Sequence, residues 1–340
     1  VSRVLIIAEA GVNHNGDIDL AKKLILAAAD AGADYVKFQT FRADKLVSKD
    51  AKKARYQQKN IGGKDESQFN MLKQLELSEE QHYVLQDFAN LNKIKFLSTG
   101  FDLDSVDFLN LMGMDFFKIP SGEVNNYQYL KRIALKLKPV VLSTGMCNLF
   151  EVESAVEVLK KYGLKDEMIT VLHCNTEYPT PFADVNLKAM INMGRTLDLK
   201  YGYSDHTLGI EVPIAAVALG ALVIEKHFTL DRKLPGPDHK ASLEPSELKQ
   251  MVDSIRNVEL ALSGNGIKEA SASEVKNKPF GRKSIFLSRD MKKGELIEEF
   301  DLIMKRPGDG LSPMLLNDII NKRVSRDLSA EHKLAKDDFE

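Results

Sequence analysis

Two lysines, Lys37 and Lys118, and two histidines, His206 and His227, sit at the ends of short apolar, β-branched runs. An ammonium group inside such a run is costly unless it is paired or receives an anion. Hydroxyls end the neighbouring runs: Ser98 with Thr99, then Ser121 and Ser143. Lysine point charges and neutral hydroxyl donors together form a pocket for a phosphate and a carboxylate. A Schiff-base lysine is the competing chemistry, and an ion-paired or snorkelling lysine the purely structural one. The two imidazoles suit an open divalent-metal site for Mn²⁺ or a similar ion, being too few for a closed structural zinc. One of them could instead be an orienting hydrogen-bond donor. Glu9 ends one strand-like run and Glu123 follows another, and both could act as bases or orienting acceptors. Asp238 lies in the turn-rich PGPDHKAS and reads as either a mouth residue or an ordinary turn residue. Tyr178, beside Pro179, reads as a pocket wall. Among the other histidines, His14 and His173 read as supporting residues, His82 and His332 as surface positions, and His239 as lining the mouth. Cys147 and Cys174 lack an obvious base and read as packing residues.

Positioning these groups requires regular elements. Eight runs read as strands: 4–11, 35–40, 95–100, 116–122, 139–145, 169–175, 200–206 and 222–228. Helical patterns follow most of them. Asp17 can cap the first helix, Ile18, Ala21, Ile25 and Ala28 share a face, and Gly32 stops it. Ser78 and Gln81 have capping-box spacing. Leu248, Val252, Ile255 and Leu262 form one stripe before Gly264. Alternating strands and helices imply a parallel sheet, and eight units in about 260 residues match a (β/α)₈ TIM barrel. A doubly wound sheet competes, but the first βα turn lacks G-x-G-x-x-G. In a closed parallel barrel every strand end meets at one face, so the polar residues ending these runs converge. Residues 1–263 thus read as the barrel, 264–279 as a linker rich in small and charged residues, and 280–340 as a small appended domain.

Composition excludes several classes. A net charge of −2 gives no global basic field for nucleic acid. No apolar run reaches transmembrane length, and the short run after VSR argues against a secretory signal. Two cysteines and no disulfide framework point to a reducing, cytoplasmic setting.

The motifs EAGVNHNG (9–16), VKFQTF (36–41), KIPSGEVNN (118–126), LSTGM (142–146), LHCNTEYPTPFADVNL (172–187), SDHTLG (204–209), IEKHFTLD (224–231) and GPDHKAS (236–242) together resemble the sialic acid synthases, the bacterial N-acetylneuraminate synthase family. KKGELI and KRPGDG resemble that family's antifreeze-like (SAF, β-clip type) C-terminal domain. The resemblance implies condensation of phosphoenolpyruvate with N-acetylmannosamine and water, releasing phosphate. A sister reaction on a diacetamido-hexose, giving legionaminic or pseudaminic acid, is the alternative. It implies Mn²⁺, or Mg²⁺ or Co²⁺, on His206 and His227. It assigns Lys37, Thr99, Lys118, Ser121, Ser143, Thr176 and Ser204 to phosphoenolpyruvate, and Gln39, Glu123, Tyr178 and Asp238 to the sugar. Glu9 corresponds to a base for water, with Glu123 a second catalytic carboxylate. Arg306 corresponds to an arginine that reaches a neighbouring subunit's mouth in a domain-swapped homodimer. Three positions depart from the pattern: Gly100 stands where many members have proline, loosening the backbone beside Thr99. Thr176 stands where some have asparagine, and Arg282 where some have an aromatic residue. A Schiff-base aldolase and an ice-binding protein are the rivals. Paired strand-end histidines argue against the first, and a highly charged C-terminal segment against the second.

Overall fold

The computed structural model describes residues 3–61 and 67–340. The chain divides into two compact units, Val1–Ser263 and Gly264–Glu340.

The first unit is an eight-stranded parallel barrel. Its strands are β1 (Leu5–Gly11), β2 (Tyr35–Thr40), β3 (Lys95–Gly100), β4 (Phe117–Ile119), β5 (Val140–Ser143), β6 (Ile169–Cys174), β7 (Lys200–Asp205) and β8 (Val223–His227). The hydrogen-bonded order is β3-β2-β1-β8-β7-β6-β5-β4. The remaining seam, between β3 and β4, brings the strands side by side without a ladder. The first helix, α1 (Ile18–Ala31), starts where the Asp17 carboxylate accepts from the amides of Asp19 and Leu20, and stops at left-handed Gly32, φ 81°. Ala21, Leu24, Ile25 and Ala28 are its fully buried stripe. Three short helices, α2 (Ala43–Leu46), α3 (Arg55–Ile61) and α4 (Gln68–Leu75), intervene before α5 (Glu79–Leu91), which has the Ser78–Gln81 capping box. These three belong to a separate apolar cluster of Val12, Phe41, Ala43, Met71, Leu72 and Leu75. The helix Pro245–Ala261 buries Leu248, Val252 and Ile255 together with Met251, whereas Leu262 lies past its end and is 42% exposed.

Side-chain alternation along each strand decides which polar groups enter the barrel. On β2, Lys37 and Gln39 face the cavity at the mouth, and Thr40 faces the helices. On β3, Thr99 faces inward, so Ser98 cannot. Its hydroxyl lies 2.7 Å from Thr40 Oγ1, which in turn lies 2.7 Å from His82 Nε2. Ser98 is therefore removed from the anion pocket, and His82 is fully buried rather than a surface residue.

The second unit is built on an antiparallel pair, Ser284–Leu287 with Leu302–Lys305, and several isolated bridges. Its core holds Ile285, Leu287, Met291, Ile297, Ile319, Val324, Leu328 and Leu334. So small a core is supplemented by buried acids. Asp301 accepts from Arg289, and Asp338 from Arg326 and from half-buried His332. Residues 264–279 are exposed, with a helical turn at Ala272–Val275 and the start of another at Lys278–Gly281.

Candidate active site

A cavity of about 610 Å³ opens at the C-terminal ends of the strands. Its floor is a buried charge cluster. Glu225 Oε2 lies 3.6 Å from Lys37 Nζ, and Glu225 Oε1 lies 3.5 Å from Lys118 Nζ. Lys37 Nζ also lies 2.8 Å from Glu9 Oε2 and donates to Thr99 Oγ1 at 2.9 Å. The register across β1 explains this convergence, since Glu9 pairs with Lys37 on one side and His227 on the other. Burial pushes Glu225 upward, but Lys118 and Lys37 outweigh it and hold the carboxylate at about 2. Glu9 has less compensation: burial dominates over Lys37, the nearby Glu225 charge adds to it, and the carboxyl is raised to about 7. Burial, aided by Lys37, also lowers Lys118, only partly opposed by Glu225. The floor therefore holds two ammonium groups against one firmly ionised carboxylate, a poise that accepts a further anion. Ser143 Oγ is buried without a hydrogen-bond partner, as such a donor would be before its acceptor arrives.

Above the floor, the His206 and His227 rings lie 5.2 Å apart, centre to centre. Burial depresses both, His206 to about 4, so both are neutral imidazoles. His206 Nδ1 is held by the Asn175 carbonyl, which leaves Nε2 with a lone pair, and His227 Nδ1 is buried without a partner. Among the described residues no group of three or more His, Cys, Asp or Glu forms a cage. Two neutral imidazoles beside open space fit an open divalent site and not a closed one.

The outer cavity differs in character. Tyr178, joined to Pro179 by a cis peptide, lies against the His206 ring at 4.0 Å and stacks on Tyr56 at 4.9 Å. Asn60 Nδ2 donates to Pro237 O at 2.7 Å, tying α3 to the loop after β8. Asp238 is 7% exposed, and burial alone raises its carboxyl to about 7. Glu123, on a short 3₁₀ turn after β4, is half-buried and accepts from Asn126 at 2.6 Å.

The NeuB family matches residues 24–268, most of the barrel. The chain belongs to the NeuB family. An SAF domain matches residues 282–340. The chain is 55% identical over 326 residues to an N,N'-diacetyllegionaminic acid synthase of Campylobacter jejuni, covering 96% of this chain and 97% of that one. It is 52% identical to the enzyme of the same name from Legionella pneumophila, covering 96% and 91%. Among solved structures, an N-acetylneuraminic acid synthetase from Leptospira borgpetersenii matches with a TM-score of 0.70 and 35% identity. That match covers 81% of this chain and 90% of the other.

The NeuB barrel brings Glu9, Lys37, Gln39, Thr99, Lys118, Ser121, Glu123, Ser143, Thr176, Tyr178, Ser204, His206, His227 and Asp238 to one cavity. Arg306 belongs to the second unit, where it is exposed and its Nε donates to Gly281 O at 3.2 Å; Arg282 is exposed there too. His239 does not line the mouth: it is fully buried, with Nδ1 2.7 Å from Thr229 Oγ1. Gly100 is not a loosened position. A Cβ there would come within 3.1 Å of the Val106 amide, and its carbonyl accepts from Tyr129. Glu225 lies in the strand-like run 222–228, and the motifs assigned it no role. Its two-residue spacing from His227, which sets both on one strand face, was the available signal. Tyr56 and Asn60 carried no sequence signal, because only tertiary contacts bring α3 to the mouth.

Proposed function

We propose that this chain condenses phosphoenolpyruvate with a diacetamido-hexose aldehyde and water, giving N,N'-diacetyllegionaminate and phosphate. One observation carries the choice of acceptor: 55% and 52% identity, over nearly the whole chain, to two N,N'-diacetyllegionaminic acid synthases. N-acetylmannosamine, the first expectation from the motifs, becomes the second reading.

Lys37 and Lys118, with Thr99, Ser121, Ser143, Thr176 and Ser204, hold the phosphate and carboxylate of phosphoenolpyruvate. The incoming anion offsets the burial that disfavours the Lys118 ammonium. His206 and His227 would hold Mn²⁺, or Mg²⁺ or Co²⁺ in its place, which when bound supplies Lewis-acid polarisation of the acceptor carbonyl. Gln39, Glu123, Tyr178 and Asp238 orient the open-chain sugar so that C3 of phosphoenolpyruvate forms a bond to the aldehyde carbon. The aldehyde oxygen takes a proton, in the net balance the one that the attacking water releases, and becomes a hydroxyl, while positive charge develops at C2. Water adds at C2, and Glu9, raised to about 7 and therefore able to exchange a proton at neutral pH, takes the water proton. The bond between C2 and the bridging oxygen then breaks, phosphate leaves with that oxygen and takes up the C2 hydroxyl proton, and a ketone remains. The lysines stabilise the charge on the departing group. The active assembly is a homodimer in which Arg306 completes a neighbouring chain's mouth. Arg306→Ala then raises the KM of the sugar far more than that of phosphoenolpyruvate.

The test is phosphate release with a panel of amino sugars. A kcat/KM for the diacetamido-hexose well above that for N-acetylmannosamine is expected, and the reverse order rejects the acceptor assignment. Oxygen-18 in the bridging position of phosphoenolpyruvate should appear in the released phosphate.

A further inference from the structure

The floor and the outer wall of the cavity are chemically opposite. The wall over the sugar end comes from the segment between β2 and α5. Phe41, Leu46, Val47, Met71, Leu72 and Leu75 form an apolar patch of the cavity lining there, while Arg55, Tyr56, Gln57 and Gln68 of the same segment supply its polar part. The apolar side chains pack with one another in a cluster separate from the barrel core. Met71, Leu72 and Leu75 keep 7–9% exposure, whereas Leu24, Ile25 and Leu97 of the barrel have none. The segment is fastened to the far side of the mouth, through Tyr56 on Tyr178 and Asn60 on Pro237. Its apolar patch lines the same cavity as Tyr178 and Asp238, the residues that orient the acceptor.

We infer that this wall is the acceptor selector: it receives an acetamido methyl of the sugar, and it disfavours a bare hydroxyl at the same place. The inference rests on the diacetamido-hexose reading above. A hydroxyl against the patch of Phe41, Leu46, Val47, Met71, Leu72 and Leu75 loses its water and finds no partner among those six side chains, while a methyl gains contact with them. Discrimination of this kind, made by an apolar surface alone, amounts to about 10–200-fold.

The experiment replaces wall residues with polar ones of similar size, Met71→Gln and Leu72→Asn. It measures kcat/KM for the diacetamido-hexose and for N-acetylmannosamine, with the KM of phosphoenolpyruvate as a third readout. The ratio of the two acceptor values is expected to fall about tenfold towards N-acetylmannosamine. Met71→Leu should restore the wild-type ratio. Equal losses for both acceptors, or an unchanged ratio, make the wall packing only and overturn the inference. If the polar variants fail to fold, Leu46→Thr at a half-buried wall position decides by the same ratio. Wild-type preference for N-acetylmannosamine would instead overturn the acceptor reading on which this inference rests. Wild-type preference for the diacetamido-hexose with insensitive variants overturns the inference alone.

Discussion

Strands β7 and β8 carry buried polar residues on both faces, and the two faces behave differently. On the outward face, Lys226 and Asp205 are both wholly buried and 2.5 Å apart. Lys226 also donates to Thr207 O, and Asp205 accepts from both the amide and the hydroxyl of Thr207. On the inward face, Ser204 donates to Glu225, whose Oε2 has only the long 3.6 Å ion pair with Lys37, and His227 Nδ1 has no hydrogen-bond partner. Burial and charge are alike on the two faces, and they differ in how fully the protein satisfies its own groups. A buried polar cluster that closes on itself holds a structure together, whereas one left open is set for something to bind. Lys226 shows why a lysine in an apolar strand is ambiguous in sequence.

The largest effect expected on the open face comes from metal removal. Turnover should fall to background in excess chelator and return with Mn²⁺, while the thermal midpoint of the apo protein stays cooperative. Full activity in chelator would leave His206 and His227 without a metal role.

The comparison is sharpened by two matched lysine replacements. Lys118→Met should lower kcat/KM by about 10³-fold, as loss of a charge-stabilising donor does, with the fold retained. Lys226→Met leaves Asp205 charged and buried, and should cost about 3–5 kcal/mol of stability in denaturant melts. Activity of the folded fraction should then change little. A stability loss at Lys118 and an activity-only loss at Lys226 would invert the distinction.

Asp238 gives a pH-dependent case. Its carboxyl is raised to about 7 from an ordinary value of 3.8. The folded state therefore binds the proton more tightly than the unfolded state. This contribution favours folding at low pH and is lost between about pH 4 and pH 7. Asp238→Asn should stabilise the protein on the order of 3 kcal/mol at pH 8 and by almost nothing at pH 4, while raising the KM of the sugar. A pH-independent difference in melting between the two proteins would contradict the buried-carboxyl account.

The smallest effects separate adjacent hydroxyls. Thr99→Val should raise the KM of phosphoenolpyruvate, because Thr99 shares Lys37 with the floor. Ser98→Ala should leave that KM unchanged and cost about 1 kcal/mol through the lost contact with Thr40. Parallel kinetics for the two variants would show that alternation on β3 does not sort them.

Much of the barrel was legible in the sequence because strand runs and caps are local. The expected run 95–100 coincides with β3, and Asp17, Gly32, Ser78 and Gln81 bound their helices as their chemistry requires. Sorting residues within a strand end was less legible. Ser98 and Thr99 both looked suited to the mouth until the strand face was fixed. His82 looked like a surface residue, but Thr40 and the Ser78 carbonyl satisfy its ring in the interior. The least legible part was the wall from α2 to α4, whose short helices are placed by contacts with distant loops.

The eight strands close with one join lacking a ladder, between β3 and β4. Thr99 stands on one lip of that join and Lys118 on the other. Backbone amides along an unladdered edge open more readily than those inside a sheet. An anion gripped from both lips would act as a stitch, supplying across the gap the restraint that hydrogen bonds provide elsewhere. Occupancy of the floor would then slow amide exchange along these two strands more than anywhere else in the barrel.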